Sequence, residues 1–233
     1  MADDFSALSE MVYSGRGITF GMTSEGNSFV GYSLTGRSYS SQARRLVYDE
    51  SDATVRTNVT DPEQLKKGNP ALLIYPAIAA IGNRIVASNG AQTKLLMQSC
   101  RMAISNHPPS HVILDAFSVP VEENGIVITS YEPDNPNYTP RISTCVDDKS
   151  ASIHIVKRKD NGEEHPLWVN FSLVPGKARL ITTYSGGNES PLLPFDGNAL
   201  PVFIGSNSAQ GICQSIYDAI GKGWIEFQDG RVY

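Results

Sequence analysis

The sequence predicts an α+β fold, in which sheets of many short strands are covered by a few helices. Three observations point there. Apolar runs of strand length recur between turns rich in Gly, Pro and Asn. Only two longer stretches place their apolar residues at helical spacing. No regular alternation of strand and helix marks a parallel sheet. No internal repeat or low-complexity linker divides the 233 residues, so residues 13–233 are expected to form one domain behind an N-terminal extension, residues 1–12.

The elements follow in order from Tyr13. GITFGMT and SFVGYSL flank the turn Ser24-Glu25-Gly26-Asn27 and read as a β-hairpin. RRLVYDE and DATVRTN read as two more short strands. Asp61-Pro62 opens a short helix, because a capping carboxylate precedes a proline in the first turn, and Asn69-Pro70 is expected to close it. Gly82-Asn83 divides ALLIYPAIAAIGNRIVASNG into an apolar segment and the strand RIVASN. In AQTKLLMQSCRMAISN, Leu95, Leu96, Cys100 and Ala103 recur at helical spacing, and that helix has to end before His107-Pro108-Pro109. VILDAFSVPV, GIVITSYE, TPRISTCVD, ASIHIVKRK, PLWVNFSLV and ARLITTYS read as strands. NSAQGICQSIYDAIGKG reads as a helix with Asn207 as N-cap and a stripe of Ala209, Ile212, Cys213, Ile216, Ala219 and Ile220. WIEFQDGRVY reads as a final strand.

Charge and composition exclude several classes of function. A net charge of −5 opposes binding of nucleic acid, which needs an extended basic surface, but not of a nucleotide, whose phosphate asks for one or two guanidinium forks. No apolar run approaches the roughly 20 residues of a membrane helix. The acidic start MADDFSALSEMVYSG lacks the features of a signal peptide, so a soluble cytoplasmic protein is expected. Cys100, Cys145 and Cys213 are too scattered for a disulfide framework or a metal clip, and two prolines separate His107 from His111. Neither a metal nor a cofactor is expected.

Four segments could carry chemistry. GRSYSSQARRL brings Arg37, Arg44 and Arg45 together with hydroxyls suited to an anion, or is a solvated loop. NPALLIYP sets Tyr75 in an apolar run, and Ser88-Asn89-Gly90 ends a strand where a helix begins, a place where N–H groups can meet a ligand. Each also reads as core or as a capped turn. SYEPDNPNYTPRIS holds Glu132, Asp134 and Arg141 in a proline-stiffened loop, either a functional loop or a surface crossover with an exposed Glu–Arg pair of little worth. TTYSGGNESPLLPFDGNALPV reads as a long structured loop, a binding wall or an Ω-loop.

Taken together and in order, these segments weigh more than any one of them. The series G-R-G, G-R-S-x-S-S-x-A-R, N-P, Y, S-N-G-x-Q-T, Y-E-P-D-x-P-N-x-T-P-R-I-S and T-Y-x-G resembles the archaeal-type IMP cyclohydrolase family, bacterial members included. The resemblance runs from about Tyr13 to Val202. It implies an αββα sandwich like that of the N-terminal-nucleophile hydrolases. It also implies that Arg37–Arg44, Asn69–Gly90 and Tyr131–Arg141 form one active site for a purine ribonucleotide, in a homo-oligomer that uses no metal. The family closes the last purine ring: a carboxamide nitrogen attacks a formyl carbon on the same molecule and water leaves. Its functional Arg, Tyr and Glu fall on Arg44 (or Gln42 in its place), Tyr75 and Glu132. Arg44 is then expected to contact an anion or oxyanion, Tyr75 to donate a proton to oxygen, and Glu132 to act as base or to position the carboxamide. Arg37, Asn89, Gly90 and Arg141 are the expected substrate-binding residues.

One departure stands out, since many relatives continue S-N-G-x-Q-T with Asp where this chain has Lys94. It supports a competing reading, a purine-nucleotide-binding homologue with weakened or no catalysis. An amidohydrolase of the same fold would need Ser, Thr or Cys at the chain start, where Ala2 follows Met1.

Overall fold

In the computed structural model, which describes residues 2–66, 69–104 and 107–224, strand pairing organises the described residues into two main antiparallel sheets and one two-stranded hairpin. A one-turn helix, α1 (Ser6–Ser9), precedes β1 (Arg16–Met22) and β2 (Ser28–Leu34), which pair as the expected hairpin. Another short helix, α2 (Tyr39–Gln42), leads into a meander of β3 (Arg44–Asp49), β4 (Thr54–Val59), β5 (Pro76–Ile81) and β6 (Arg84–Ser88). Between β4 and β5 lie α3 (Pro62–Leu65) and α4 (Pro70–Leu73). The chain then forms α5 (Thr93–Met102), α6 (Pro109–Ala116) and a small hairpin of β7 (Glu122–Glu123) and β8 (Ile126–Val127). A second meander follows, made of β9 (Arg141–Val146), β10 (Ser150–Arg158) and β11 (Glu164–Ser172). Finally β12 (Lys177–Thr182) and β13 (Leu200–Phe203) precede α7 (Ala209–Trp224).

The larger sheet has the order β11-β10-β9-β6-β5-β4-β3 and the smaller β13-β12-β1-β2. Alternation along each strand decides what lies where. Ile18, Phe20 and Ile181 of the small sheet share one core with Ile142, Val146, Ile153 and Ile155 of the large one. The opposite face of the small sheet packs Ala178, Leu180 and Val202 against Leu8 of α1 and Ile212, Ile216 and Ala219 of α7. The opposite face of the large sheet packs Val86 and Cys145 against Leu96 and Cys100 of α5 and Val112 and Ile113 of α6. The layers therefore run helices, sheet, sheet, helices. Gly31 fits α7 to its sheet, since a Cβ there would come within 2.8 Å of Ile216 Cδ1.

An irregularity at the start of β5 sets the direction of Tyr75. Arg56 pairs with Pro76 while Val55 pairs with Ile78, so Ala77 is an extra residue in the strand. The bulge lets Tyr75 and Ala77 face the core between the sheets while Ala79 faces α5 and α6.

The structure differs from the sequence reading at several elements. VILDA belongs to helix α6, not to a strand: Pro109 starts the helix and Val112, Ile113 and Ala116 form its buried stripe. GIVITSYE contributes only the two-residue strand β8 before the backbone turns away. Asn69 does not close a helix but caps the next one, its side chain accepting from the Ala71 N–H. The end of the long loop, LPVF, is strand β13. Ser208, not Asn207, caps α7, accepting from the Gly211 N–H at 3.1 Å, while Asn207 donates to Glu25. Cys213 and Ala209 are exposed and do not extend the α7 stripe. The expected final strand lies outside the described residues beyond Trp224. At the other end, Phe5 and Leu8 are buried under α7 and Asp4 bridges to Phe203, so residues 4–8 pack onto the small sheet. Among the described residues no helix is long and apolar enough to cross a membrane.

Candidate active site at one end of the large sheet

Antiparallel pairing brings distant segments to one end of the large sheet. β9 begins at Arg141 beside the end of β6 at Ser88. β5 begins just after Tyr75, next to that same end of β6, and β3 begins at Arg44 opposite Val59 at the end of β4. Arg44, Tyr75, Ser88–Gly90 and Arg141 thus share one rim. β2 of the small sheet lies over β5, β6 and β9, and β1 lies over β9, so that Tyr32 and Arg16 close the rim from the other side.

At the centre is Glu132, whose side chain is 3% exposed. Arg16 Nη2 donates to Glu132 Oε1 at 2.7 Å, and Arg141 Nη1 approaches the same oxygen at 3.5 Å. The exposed, weak Glu–Arg pair that the loop sequence allowed is thereby overturned: Arg141 is 3% exposed. Burial raises the Glu132 pKa, Arg16, Arg141 and Arg44 oppose that rise, and Asp134 adds to it. Burial works against the charge of Arg16, but the Glu132 carboxylate holds its pKa well above the usual range, aided by Tyr75, Tyr32 and Tyr184. Burial lowers that of Arg141. Three guanidinium groups against the carboxylates of Glu132 and Asp134 leave the centre net positive, which suits an anion.

The remaining residues form a ring around this centre. The hydroxyls of Tyr75 and Tyr32 are 3.1 Å apart between the sheets, and burial pushes the Tyr32 phenol well up. Arg44, 2% exposed, donates from Nε to Ser41 O and from Nη1 to Leu73 O, two residues before Tyr75. The loop bearing Glu132 is fixed by its own polar groups. The Glu132 N–H donates to Thr139 O, and Asp134 accepts from the Thr139 N–H at 2.7 Å. The Thr139 hydroxyl also meets Tyr184 Oη.

Asn89 is fully buried, and its amide is committed to the fold: Nδ2 donates to Pro140 O, and Oδ1 accepts from the Ile142 N–H and from Gln92 Nε2. It joins the start of β9 to the start of α5. Gly90 leaves the space that Arg141 occupies, since a Cβ there would fall 1.8 Å from Arg141 Nη1. Gln92 Oε1 accepts from that same Nη1 at 3.1 Å. Arg37 lies apart from the centre, donating to Asn188 Oδ1 and Glu189 O with its guanidinium 5.2 Å from the Tyr13 ring. The geometry brings together Arg44, Tyr75, Glu132, Gly90 and Arg141, places Asn89 behind them and Arg37 at the edge.

A cleft of about 440 Å³ opens beside this cluster, lined by Asn69, Ile74, Lys94, Glu123 and Ile126 among others, and Arg141 stands in its wall. Lys94 pairs with Glu123 there. The volume falls within the roughly 300–1,000 Å³ typical of small-molecule sites.

Sequence reasoning did not single out Arg16, Tyr32, Gln92 or Tyr184. G-R-G, S-N-G-x-Q-T and T-Y-x-G contain Arg16, Gln92 and Tyr184, while Tyr32 lies in the strand SFVGYSL, but nothing local shows that these side chains point between two sheets.

Comparison with known proteins finds relatives over most of the chain. The family described as IMP cyclohydrolase-like protein matches residues 13–222. An IMP cyclohydrolase of Methanococcus maripaludis (strain C7) is 28% identical over 177 residues, covering 76% of this chain and 77% of its own. One from strain S2 of that species is 30% identical over 173 residues, covering 74% and 75%. The IMP cyclohydrolase of Methanococcus aeolicus is 27% identical over 149 residues, covering 64% and 65%.

Proposed function

The chain belongs to the IMP cyclohydrolase-like family, and from that premise we propose that it catalyses the dehydrative ring closure of formamidoimidazole carboxamide ribonucleotide to IMP. The observation that carries the reading is the convergence of Glu132, Tyr75 and three arginines on one buried, net-positive centre beside a nucleotide-sized cleft. The reaction is intramolecular, so holding carboxamide and formyl groups face to face supplies much of the rate. Glu132 accepts the proton that the attacking nitrogen sheds. Tyr75 delivers a proton to the oxygen that leaves as water, its hydroxyl oriented by Tyr32. Arg44 adds positive charge and, through Leu73 O, steadies the segment that carries Tyr75. Arg141, shared by cleft and centre, contacts the substrate.

The four-layer arrangement supports kinship with the N-terminal-nucleophile hydrolase architecture, and the match over residues 13–222 supports one domain. Exposed Phe203 and Tyr217 favour a homo-oligomer, which sedimentation would test, and a biosynthetic role of this kind fits the cytoplasm. The decisive measurement is incubation of the purified protein with the formylated ribonucleotide, following its loss and the appearance of IMP. Turnover is expected. Binding without turnover would favour the nucleotide-binding homologue, the reading to which Lys94 in the cleft wall lends weight.

A further inference from the structure

Ring closure as proposed makes Glu132 a base, yet a carboxylic acid this deeply buried favours its neutral form. Something nearby has to keep it ionised and turned the right way. The groups that bear on it are Arg16 from β1, Arg141 from β9, Arg44 from β3 and Asp134 on its own loop. Of these, Arg16 makes the shortest contact, 2.7 Å from Nη2 to Oε1. Both Arg16 and Arg141 reach Oε1, and among the described residues Glu132 Oε2 accepts no hydrogen bond. One oxygen is clamped and the other is left to take a proton.

The backbone around Arg16 is built to hold it. Its N–H donates to Thr183 Oγ1 at 3.1 Å, and its carbonyl accepts from the Thr183 N–H at 2.9 Å. Gly15, at φ 73°, lies where a Cβ would be 2.0 Å from Thr183 Oγ1 and 2.7 Å from the Tyr184 ring. A Cβ on Gly17 would meet Ser33 Oγ at 2.4 Å. The two glycines therefore let the start of β1 sit tightly between its neighbours, and the side chain of Arg16 points inward on the same face as Ile18 and Phe20. Its Nε is buried with no hydrogen-bond partner among the described residues, a cost that a purely structural arginine would have little reason to carry. The hydroxyls of Tyr75, Tyr32 and Tyr184 complete its surroundings.

We propose that Arg16 is a positioning residue for the ring closure, which holds Glu132 ionised through Oε1 and presents Oε2 to the carboxamide nitrogen. The inference rests on the cyclohydrolase reading. If the wild-type protein forms no IMP, that reading fails; if it does, the Arg16 variants decide this one.

The test is the pH profile of kcat for the wild type, Arg16→Gln and Arg16→Lys, with a thermal melt of each to establish folding. In Arg16→Gln the acid limb should move to higher pH by about one unit or more, because an opposing charge has been removed from the base. Its kcat near neutral pH should fall about tenfold or more, and KM should change less. Arg16→Lys keeps the charge without the fork, so its acid limb should stay near the wild-type position and part of the activity should return. A uniform loss of kcat in a folded Arg16→Gln protein with an unmoved acid limb would overturn the proposal, as would wild-type turnover. Should Arg16→Gln fail to fold, Arg16→Lys decides alone. In that variant, which keeps the charge, a kcat lowered with KM little changed and the acid limb in place supports the proposal, and unaltered kinetics, a displaced acid limb or a loss carried by KM refute it.

Discussion

Glu132→Gln is the perturbation that separates chemistry from architecture at this site. Glutamine keeps the volume and can still accept from Arg16 and Arg141, which lie 2.7 and 3.5 Å from Oε1. It lacks the charge that accepts a proton. A charge-assisted hydrogen bond is worth about 1.5–3 kcal/mol against about 0.5–1.5 for a neutral one. Exchanging one for the other at two arginines loses on the order of 2 kcal/mol. Burying a carboxylate is costly, and here burial raises its pKa, so removing the charge returns part of that loss. A net destabilisation of about 1–2 kcal/mol lowers the melting temperature of a chain this size by roughly 2–8 °C. Turnover should fall far more, by about 10²–10⁴, the usual contribution of a general base. Formation of IMP under saturating substrate, with a melt of the same preparation, measures both. Turnover within about tenfold of wild type in a folded Glu132→Gln protein would refute the assignment of the base.

Four further variants probe the site and the sheet that carries it. Tyr75→Phe should lower kcat by about 10² or more while Tyr32→Phe, which loses only an orienting hydroxyl, should lower it less; equal effects would argue that neither donates the proton. Gly90→Ala drives a methyl group into Arg141 and Gln92, and should destabilise by about 1–3 kcal/mol and lower turnover, read from a melt and a rate; an unchanged rate would show that Arg141 need not sit where it does. His154, packed between Phe117 and Trp168, has its pKa lowered by burial to about 4. The unfolded chain binds that proton first as the pH falls, so the stability is present above about pH 6.5 and lost between 6.5 and 4. His154→Phe should shrink the drop in urea-unfolding free energy between pH 7 and 4.5 by roughly 2–3 kcal/mol relative to wild type, and an equal drop in both proteins would contradict the buried neutral imidazole.

What the sequence could show divides along the range of the interactions. The hairpins β1–β2, β3–β4, β5–β6 and β9–β10 are joined by short turns, so apolar runs and turn residues reveal them. VILDAF misled because a short apolar run fits a buried strand as well as the inner face of a helix, and only packing on β9 and β10 decides between them. LPVF was hidden in a Gly- and Pro-rich stretch because its pairing partner, β12, supplies the reason for it to be a strand.

The site shows the same division more sharply. Glu132 and Arg141 are close in sequence, and their loop announced itself by composition; what could not be read was their burial, which turns a pair of small worth into the charged centre of the protein. That burial comes from one non-local pairing, β6 with β9, across the whole excursion of α5, α6 and the β7–β8 hairpin. Once it forms, the start of β9 has to lie beside the end of β6, and the meander from β6 back to β3 brings Tyr75 and Arg44 to the same rim. Arg16 is set by a second long-range pairing, β1 with β12, in which Gly17 faces Thr182. A lone arginine between two glycines carries no local sign of either contact. Yet its inward direction follows from the alternation that buries Ile18 and Phe20, so once the sheets are stacked the same period that makes the core also aims this cation at Glu132.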